Sequence, residues 1–231
     1  RLLVVITDLY THRLWLSPEA GAYVVGSEET ARVAAQRGIP AERLHPLGIP
    51  IAEAFESPVD RPALLRRLAL EPHRRTVLVT SGGTTVGPFE PVVRSLMRLE
   101  ASWPGRLQLL VVCGDNARAL QRLTRQARGL AMPVRVFGFV DNMPELMGAS
   151  DLVVAKAGGL TVMETLSEGL PLVLYHAIPG QERFNAQYVT AHGAGIRVHA
   201  RATAATVRRV VEEPGRYERM RAAACALRRP H

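Results

Sequence analysis

The sequence predicts an α/β fold in which helices cover both faces of a parallel sheet. Short runs rich in β-branched residues alternate with amphipathic stretches of about ten to fifteen residues, which is the pattern of repeated βαβ units. Most of the runs are continuously apolar, as expected for strands buried on both faces. Together these observations indicate a doubly wound sheet.

The same pattern gives the individual elements. Apolar runs predict strands over residues 2–6, 23–25, 76–80, 107–113, 134–137, 152–155, 172–175 and 196–198. Helices are predicted where capping residues and glycines frame the amphipathic stretches, at 28–38, 88–100, 143–147 and 159–169. Ser27 is the predicted N-cap of the first helix, and Asp141 or Asn142 that of the third.

A proline-rich stretch between Pro46 and Pro62 carries no clear pattern and predicts a linker. We therefore expect residues 1–57 to be the last part of an N-terminal domain with its linker, and residues 58–231 to form a complete C-terminal domain. The chain opens at Arg1 inside an apolar run, without a methionine, so we expect it to be a piece of a longer protein.

Composition excludes several classes. Hydrophobic residues make up 47% of the 231 residues, which is too many for a disordered chain, and no apolar run reaches the roughly 18 residues of a membrane-spanning helix. Cys113 and Cys225 predict neither a disulfide framework nor a zinc site. The net charge is +8, yet Lys156 is the only lysine among 29 basic residues. With 5% aromatic residues and no nucleic-acid motif, we expect no nucleic-acid partner.

The first candidate binding loop follows the predicted strand 76–80 and precedes a helix. It contains Ser81, Gly82, Gly83 and Thr84, where glycines permit close approach of the backbone to a phosphate. The Walker spacing and the G-x-G-x-x-G spacing are both absent. A tight turn that needs a glycine at positive φ explains the loop equally well.

A second loop, after strand 152–155, leads directly into a helix. Its backbone N–H groups at Gly158, Gly159, Leu160 and Thr161 would face the carboxyl edge of the sheet, where open α/β folds bind ligands. Glu164 follows about one and a half turns later, where its carboxylate could accept hydrogen bonds from a vicinal diol or simply pair with the helix dipole. Lys156 could pair with a phosphate, although an isolated lysine at a strand end is usually a surface charge.

Two further loops carry candidates. Gln181, Glu182 and Asn185 are expected to face one direction from the first turn of a helix and to suit sugar hydroxyls, with helix capping as the alternative for Glu182. Phe139 and Val140 could frame a flat base, although an isolated phenylalanine is a core residue by default.

The N-terminal part offers only single candidates. Asp8 and His12 follow the first strand and could perform proton chemistry, but single acids and histidines at strand ends are usually structural or exposed. The other histidines show no metal-ligand spacing, so no metal site is predicted.

Taken together and in order, these stretches resemble the GT-B glycosyltransferases of the monogalactosyldiacylglycerol synthase and processive diacylglycerol glucosyltransferase group, relatives of the peptidoglycan N-acetylglucosaminyltransferase. The stretches that carry the resemblance include Thr7-Asp8-Leu9, Gly48-Ile49-Pro50-Ile51, Ser81-Gly82-Gly83, Lys156-Ala157-Gly158-Gly159, Glu168-Gly169-Leu170-Pro171 and Pro179-Gly180-Gln181-Glu182. As a set they are specific to the family, although each piece alone is not.

The resemblance implies two Rossmann-like domains and inverting transfer of a hexose from a UDP-sugar to a lipid such as diacylglycerol, without a metal or other cofactor. It implies that Gly82, Gly83 and Thr84 lie at the diphosphate, Phe139 and Val140 at the uracil, residues 158–161 at the phosphates and Glu164 at the ribose. It also implies that Gln181, Glu182 and Asn185 contact the hexose, and it leaves the catalytic base unassigned. The protein is expected in the cytoplasm, peripheral at the inner face of an anionic membrane.

Other functions stay open at this stage. The chain could be the UDP-sugar-binding half of a split transferase without activity of its own, or a transferase for a polyprenyl-linked acceptor. A UDP-sugar epimerase would share the fold but should carry acids and histidines for proton transfer in the cleft.

Overall fold

The computed structural model describes residues 2–82 and 87–228, and within them the strands form two parallel sheets. The smaller sheet has the order β1-β2-β3 and comprises β1 (Leu2–Val5), β2 (Ala20–Val24) and β3 (Leu44–His45). Helix α1 (Glu28–Gln36) joins β2 to β3 and begins at Ser27, whose hydroxyl accepts a hydrogen bond from the Thr30 N–H, as predicted.

The larger sheet has six parallel strands in the order β6-β5-β4-β7-β8-β9. Its strands are β4 (Arg75–Thr80), β5 (Leu107–Val112), β6 (Val134–Phe137), β7 (Leu152–Lys156), β8 (Leu172–His176) and β9 (Gly195–Arg197). Each lies on a predicted apolar run, with ends that differ by at most one residue. The chain builds outward from β4 in one direction and then returns to add β7 on its other side, so β4 and β7 flank the point where the order reverses.

Helices precede, connect and follow the strands of the larger sheet. They are α2 (Arg61–Arg67), α3 (Phe89–Met97), α4 (Leu99–Ser102), α5 (Ala117–Ala127), α6 (Met143–Gly148), α7 (Gly159–Ser167), α8 (Gln181–Ala191), α9 (Thr203–Glu212) and α10 (Arg216–Ala226). The predicted helix 88–100 is divided, because α3 ends at Met97 and the short α4 follows. Asn142 occupies the N-cap position of α6, but its amide donates to Glu145 Oε2 and does not cap a backbone N–H.

The core lies on both faces of the larger sheet, as the continuous apolar runs predict. Along β5, Leu109 and Val111 pack in a cluster with α3, α5 and α9, whereas Leu110 and Val112 pack on the opposite face with α2 and α6. Burial of alternate side chains on opposite faces explains why the strand sequences do not alternate in polarity. It also fixes the strand ends, and with them the loops at the carboxyl edge.

Most residues of the stretch between Pro46 and Pro62 are exposed, but two apolar side chains anchor it to the rest of the chain. Ile49 is fully buried, and Phe55 is buried in a short 3₁₀ helix, Glu53–Glu56. Both side chains pack in apolar clusters of the core, and this burial holds the stretch in place. The domain boundaries at residues 57 and 58 stay a prediction.

Candidate functional site

The candidate site lies at the carboxyl edge of the larger sheet, where the strand order reverses. The turn at Gly82 follows β4, and the turn at Gly158 follows β7, so both turns meet at this point. Open parallel sheets bind ligands there because the loops on either side of the reversal diverge and leave a crevice. Gly82 has a φ of +68°, in the left-handed region that favours glycine.

Two cavities occupy this crevice. The first, which we call the polar cavity, has a volume of about 280 Å³. It is lined by Thr7, Asp8, Gly82, Lys156, Gly158, Gly159, Leu160, Thr161 and Glu182. It therefore brings the Asp8 carboxylate, which follows β1 of the smaller sheet, near Lys156 at the end of β7 and Glu182 in α8.

The second, the aromatic cavity, has a volume of about 370 Å³. It is lined by Thr80, Gly82, Val112, Gly114, Asp115, Phe139, Val140, Met143, Met147, Leu160, Thr161 and Glu164. Gly82, Leu160 and Thr161 belong to both linings, so the cavities are neighbours around the start of α7. One elongated ligand can therefore extend through both.

The start of α7 supplies donors where the two cavities meet. Gly158 is the N-cap and makes no side-chain cap, and the first intrahelical hydrogen bond runs from the Val162 N–H to the Gly158 carbonyl oxygen. The N–H groups of Gly159, Leu160 and Thr161 consequently have no partner within the helix. Together with the positive end of the helix dipole, they form a binding place for an anion such as a phosphate.

Glu164 lines the aromatic cavity with an unpaired carboxylate. Burial alone raises its pKa, and no described residue offers its carboxylate a hydrogen bond or a counter-charge. The alternative of an acid that pairs with a nearby helix dipole does not fit, because the N-terminus of its own helix lies more than one turn away. A half-buried acceptor without a partner is well suited to a ligand that carries hydroxyl groups.

Phe139 is 76% exposed, although an isolated phenylalanine was expected in the core. It lines the aromatic cavity together with Val140, which is half-buried against the core under α6. An aromatic ring that is left in solvent at the mouth of a cavity offers a face on which a flat base can stack.

Lys156 and Glu182 form a buried ion pair in the polar cavity. The Nζ–Oε1 distance is 3.0 Å, and the two side chains are 6% and 8% exposed. Glu182 Oε2 also accepts a hydrogen bond from the Ile178 N–H at 2.8 Å. The interpretation of Lys156 as a surface charge is thus wrong, and Glu182 is held by the protein from both carboxylate oxygens.

Asn185 connects the two parts of the chain. Its Oδ1 accepts a hydrogen bond from the Leu9 N–H at 2.8 Å, and its Nδ2 donates to Asp8 Oδ1 at 2.7 Å and to the Ala157 carbonyl oxygen at 2.9 Å. The side chain is fully buried and lies outside both linings. In this arrangement Asn185 is not available for the expected contact with a hexose.

Asp8 is the predicted proton-transfer candidate that the structure places in the crevice. Burial raises its pKa, the hydrogen bond from Asn185 opposes this shift, and the negative charge of Glu182 adds to it. His12 lies apart: it is exposed, and its Nδ1 accepts a hydrogen bond from the Leu14 N–H at the start of a 3₁₀ helix.

The remaining predicted site residues are Gln181, Ser81, Gly83 and Thr84. Gln181 is exposed and outside both linings, so it does not share a direction with Glu182 and Asn185, which point inward one helical turn apart. Ser81 is buried, and its hydroxyl donates to the Gly82 carbonyl oxygen within the turn. Gly83 and Thr84 lie outside the described residues.

Sequence reasoning missed the contacts that hold Asp8 in place. The rings of Tyr10 and Phe184 stack in parallel with centroids 3.7 Å apart, and the Arg37 guanidinium lies over Tyr10 and donates to its hydroxyl. A Cβ on Gly159 would overlap the Thr7 carbonyl oxygen. The only available signal was an aromatic side chain, Phe184, in an otherwise polar first turn of a helix.

Within residues 2–82 and 87–228, no group of three or more His, Cys, Asp or Glu side chains is arranged to hold a metal ion. In the same ranges, no helix combines the length and the apolar character needed to cross a membrane.

Two family models match the chain in sequence. The C-terminal domain of glycosyltransferase family 28 matches residues 76–229, and monogalactosyldiacylglycerol (MGDG) synthase matches residues 1–51. The processive diacylglycerol beta-glucosyltransferases of Bacillus cytotoxicus and Bacillus cereus are each 31% identical over 193 residues, which is 83% of this chain and 48% of the relative. The chain therefore spans about half the length of these curated relatives.

Solved structures share the fold at low sequence identity. UDP-GlcNAc 2-epimerase from Neisseria meningitidis, bound to UDP-GlcNAc, has a TM-score of 0.71 at 15% identity and covers 94% of this chain and 63% of its own. MurG from Acinetobacter baumannii has a TM-score of 0.64 at 18% identity, with coverage of 98% and 61%. HepE from Anabaena, in complex with UDP and glucose, has a TM-score of 0.63 at 19% identity, with coverage of 98% and 66%.

These likenesses confirm the predicted α/β architecture of GT-B type. The match to the family 28 model covers the larger sheet except Arg75 and all the residues that line the two cavities except Thr7 and Asp8. The chain therefore belongs to glycosyltransferase family 28, whose C-terminal domain it contains.

Proposed function

We propose that the protein to which this chain belongs transfers a hexose from a UDP-sugar to a lipid acceptor, diacylglycerol. The observation that carries the proposal is the pair of neighbouring cavities around the N-terminus of α7, one with an exposed aromatic ring and an unpaired carboxylate, the other polar. The 31% identity to processive diacylglycerol beta-glucosyltransferases supports the lipid acceptor.

In the proposed complex, the nucleoside occupies the aromatic cavity. Uracil stacks on Phe139 beside Val140, and the ribose hydroxyls donate to the Glu164 carboxylate. The diphosphate binds the N–H groups at residues 159–161, with Gly82 close by because glycine leaves room for the backbone to approach. The hexose then lies in the polar cavity near Glu182.

The helix dipole and the unpaired N–H groups of α7 stabilise the negative charge that develops on the leaving diphosphate, so the proposed transfer needs no metal ion. Inversion at the anomeric carbon requires a base that takes the proton of the acceptor hydroxyl. Asp8 is the candidate for this base, since it lines the polar cavity and has an oxygen, Oδ2, without a hydrogen bond from any described residue. His12, the other candidate, lines neither cavity, and its Nδ1 accepts a hydrogen bond from the Leu14 N–H.

A thermal shift with UDP tests donor binding. We expect UDP to raise the melting temperature of the chain and Glu164→Ala to abolish that rise, because the ribose loses its acceptor. Glu168→Ala is the matched control: Glu168 lies one turn further along, at the end of the same helix and outside both linings. If UDP leaves the wild-type melting temperature unchanged, the site assignment is wrong.

A transfer assay on a protein that contains this chain, with UDP-hexoses and diacylglycerol in mixed micelles, tests the reaction itself. We expect the product to have the opposite anomeric configuration to the donor and to form equally well in EDTA. A reaction that EDTA stops and a divalent cation restores would contradict metal-independent transfer.

The assay also separates the alternatives. The non-catalytic half of a split transferase would bind UDP but need a second polypeptide for transfer, and a polyprenyl-linked acceptor would be consumed in place of diacylglycerol. Epimerisation of UDP-GlcNAc without any acceptor would favour the activity named for the Neisseria meningitidis neighbour, which shares the fold at 15% identity. The curated relatives favour transfer.

We further propose peripheral contact with an anionic membrane surface, as the +8 net charge suggests. Sedimentation with phosphatidylglycerol vesicles, and little with phosphatidylcholine vesicles, is the expected result. Arg122 of α5 is already paired with Glu90, so we expect this arginine to contribute little to that contact.

A further inference from the structure

Asp8 and Asn185 are 177 positions apart in the sequence and meet between the two sheets. All the N–H groups of the Asn185 amide and its carbonyl oxygen are used, on Asp8, Ala157 and Leu9. A fully buried amide with every donor satisfied fixes the groups it binds, because breaking any one bond leaves a buried polar atom without a partner.

The three bonds have different consequences. The bond to Leu9 N–H holds the turn after the first strand, and the bond to the Ala157 carbonyl oxygen holds the turn that leads into α7. Only the bond to Asp8 Oδ1 acts on a side chain. It occupies one carboxylate oxygen and leaves the other without a described donor, while the side chain lines the polar cavity.

Docking of the Asp8 turn does not depend on Asn185 alone. The stacked rings of Tyr10 and Phe184 join the same two segments, and the Thr7 backbone rests directly on Gly159. Aromatic and backbone contacts therefore already hold the Asp8 turn against α7 and α8. The specific effect of the Asn185 amide is on the orientation and charge state of Asp8.

We propose that Asn185 is a positioning residue that aims the Asp8 carboxylate into the polar cavity and stabilises its ionised form. The proposal rests on the proposed function insofar as Asp8 acts on a substrate there. The charged groups that face Asp8 in this cavity are Glu182 from α8, which repels its ionised form, and Lys156 from the end of β7. A neutral donor to Asp8 offsets the repulsion without adding charge.

NMR titration of the chain with ¹³C-labelled aspartate carboxyl groups tests this directly, the Asp8 signal being assigned from Asp8→Asn. We expect Asn185→Ala to raise the Asp8 pKa by about one pH unit, because the ionised carboxylate loses one hydrogen bond. Asn185→Ser serves if the alanine variant does not fold. Gln187→Ala, an exposed position on the same helix, should leave the Asp8 pKa unchanged.

An exchange of the two side chains separates positioning from folding. Asn185→Asp alone places two carboxylates together and should lower the melting temperature. Adding Asp8→Asn restores the carboxylate–amide pair but not the donor to the Ala157 carbonyl oxygen, so we expect it to recover only part of that loss. Because the carboxylate of the double variant lies on α8, transfer activity should not return. In Asn185→Ala, the acid limb of the pH profile of kcat should move to higher pH, while the KM for the donor stays unchanged.

An Asp8 pKa that stays the same in folded Asn185→Ala and Asn185→Ser would overturn the proposal, as would full activity in the exchanged double variant. The titration needs no ligand. If UDP fails to bind the wild type, the proposed function fails, while the titration still decides whether Asn185 controls Asp8.

Discussion

The polar and the aromatic cavities are neighbours that share Gly82, Leu160 and Thr161, but the glutamate of one is bonded within the protein and that of the other is not bonded to any described residue. In the polar cavity, Glu182 is bonded through both carboxylate oxygens, to Lys156 and to Ile178 N–H. In the aromatic cavity, Glu164 has no described partner and Phe139 is 76% exposed. Groups that the protein satisfies hold the structure together, whereas groups that it leaves unsatisfied are available to a ligand.

This difference predicts that substitutions in the Lys156–Glu182 pair reduce the free energy of unfolding, and that substitutions at Glu164 and Phe139 reduce the binding of UDP. The largest effect is expected for Lys156→Met, which leaves the Glu182 carboxylate buried without its counter-charge. Chemical denaturation should show a loss of about 3–5 kcal/mol. Adding Glu182→Gln, which keeps an acceptor for Ile178 N–H, should recover much of it.

The exposed ion pair between Arg67 and Glu145 is the control for this prediction. Arg67→Met should cost no more than about 1 kcal/mol, because exposed pairs are solvated and contribute little. Equal losses at Lys156 and Arg67 would mean that burial does not distinguish the two pairs.

The next largest effect is expected at the contact between the two sheets. Gly159→Ala should reduce the free energy of unfolding by about 1–3 kcal/mol, because the new Cβ overlaps the Thr7 carbonyl oxygen and backbone cannot move aside cheaply. Gly158→Ala is the matched control: nothing lies within 4 Å of its added Cβ, and its φ of −67° suits alanine. A loss at Gly158 as large as that at Gly159 would contradict the proposed contact.

An intermediate effect on binding alone is expected for Phe139→Ala. Because the ring is mostly exposed, its removal should leave the melting temperature unchanged. Loss of base stacking should weaken UDP binding by about 1–3 kcal/mol, which is a rise in Kd of about fivefold to 150-fold, by calorimetry. Leu47→Ala removes a comparably exposed side chain outside both cavities and should change neither quantity.

The sequence predicted the larger sheet well, because its continuous apolar runs have one stable arrangement once helices cover both faces. It also predicted that Gly158, Gly159 and Glu164 follow β7 at one edge, since helix periodicity fixes their relative places. It could not predict which polar groups pair, because Lys156 and Glu182 are 26 positions apart and meet only through the register of β7 and β8.

The same limit applies to Asn185 and Phe139. An asparagine near the start of a helix can bind a sugar or form a buried contact, and only the position of the Asp8 turn decides between them. Phenylalanine is a core residue in most settings, and nothing local to Phe139 signals that the surrounding loop leaves it in solvent.

The smallest effect, and the one that best separates the two cavities, concerns the pH dependence of stability at Glu164. Burial raises its pKa in the folded chain above the ordinary value near 4.5, so the folded state prefers the protonated form. The cost of burying the charge is absent at low pH and develops as the pH rises through the raised pKa. Glu164→Gln, which resembles the protonated acid, should therefore raise the melting temperature at about pH 7 by no more than about 3 °C and leave it unchanged near pH 4. A lower melting temperature for Glu164→Gln at pH 7 would mean that the carboxylate has a partner within the protein. The contrast between Glu164 and the bonded Glu182 would then fail.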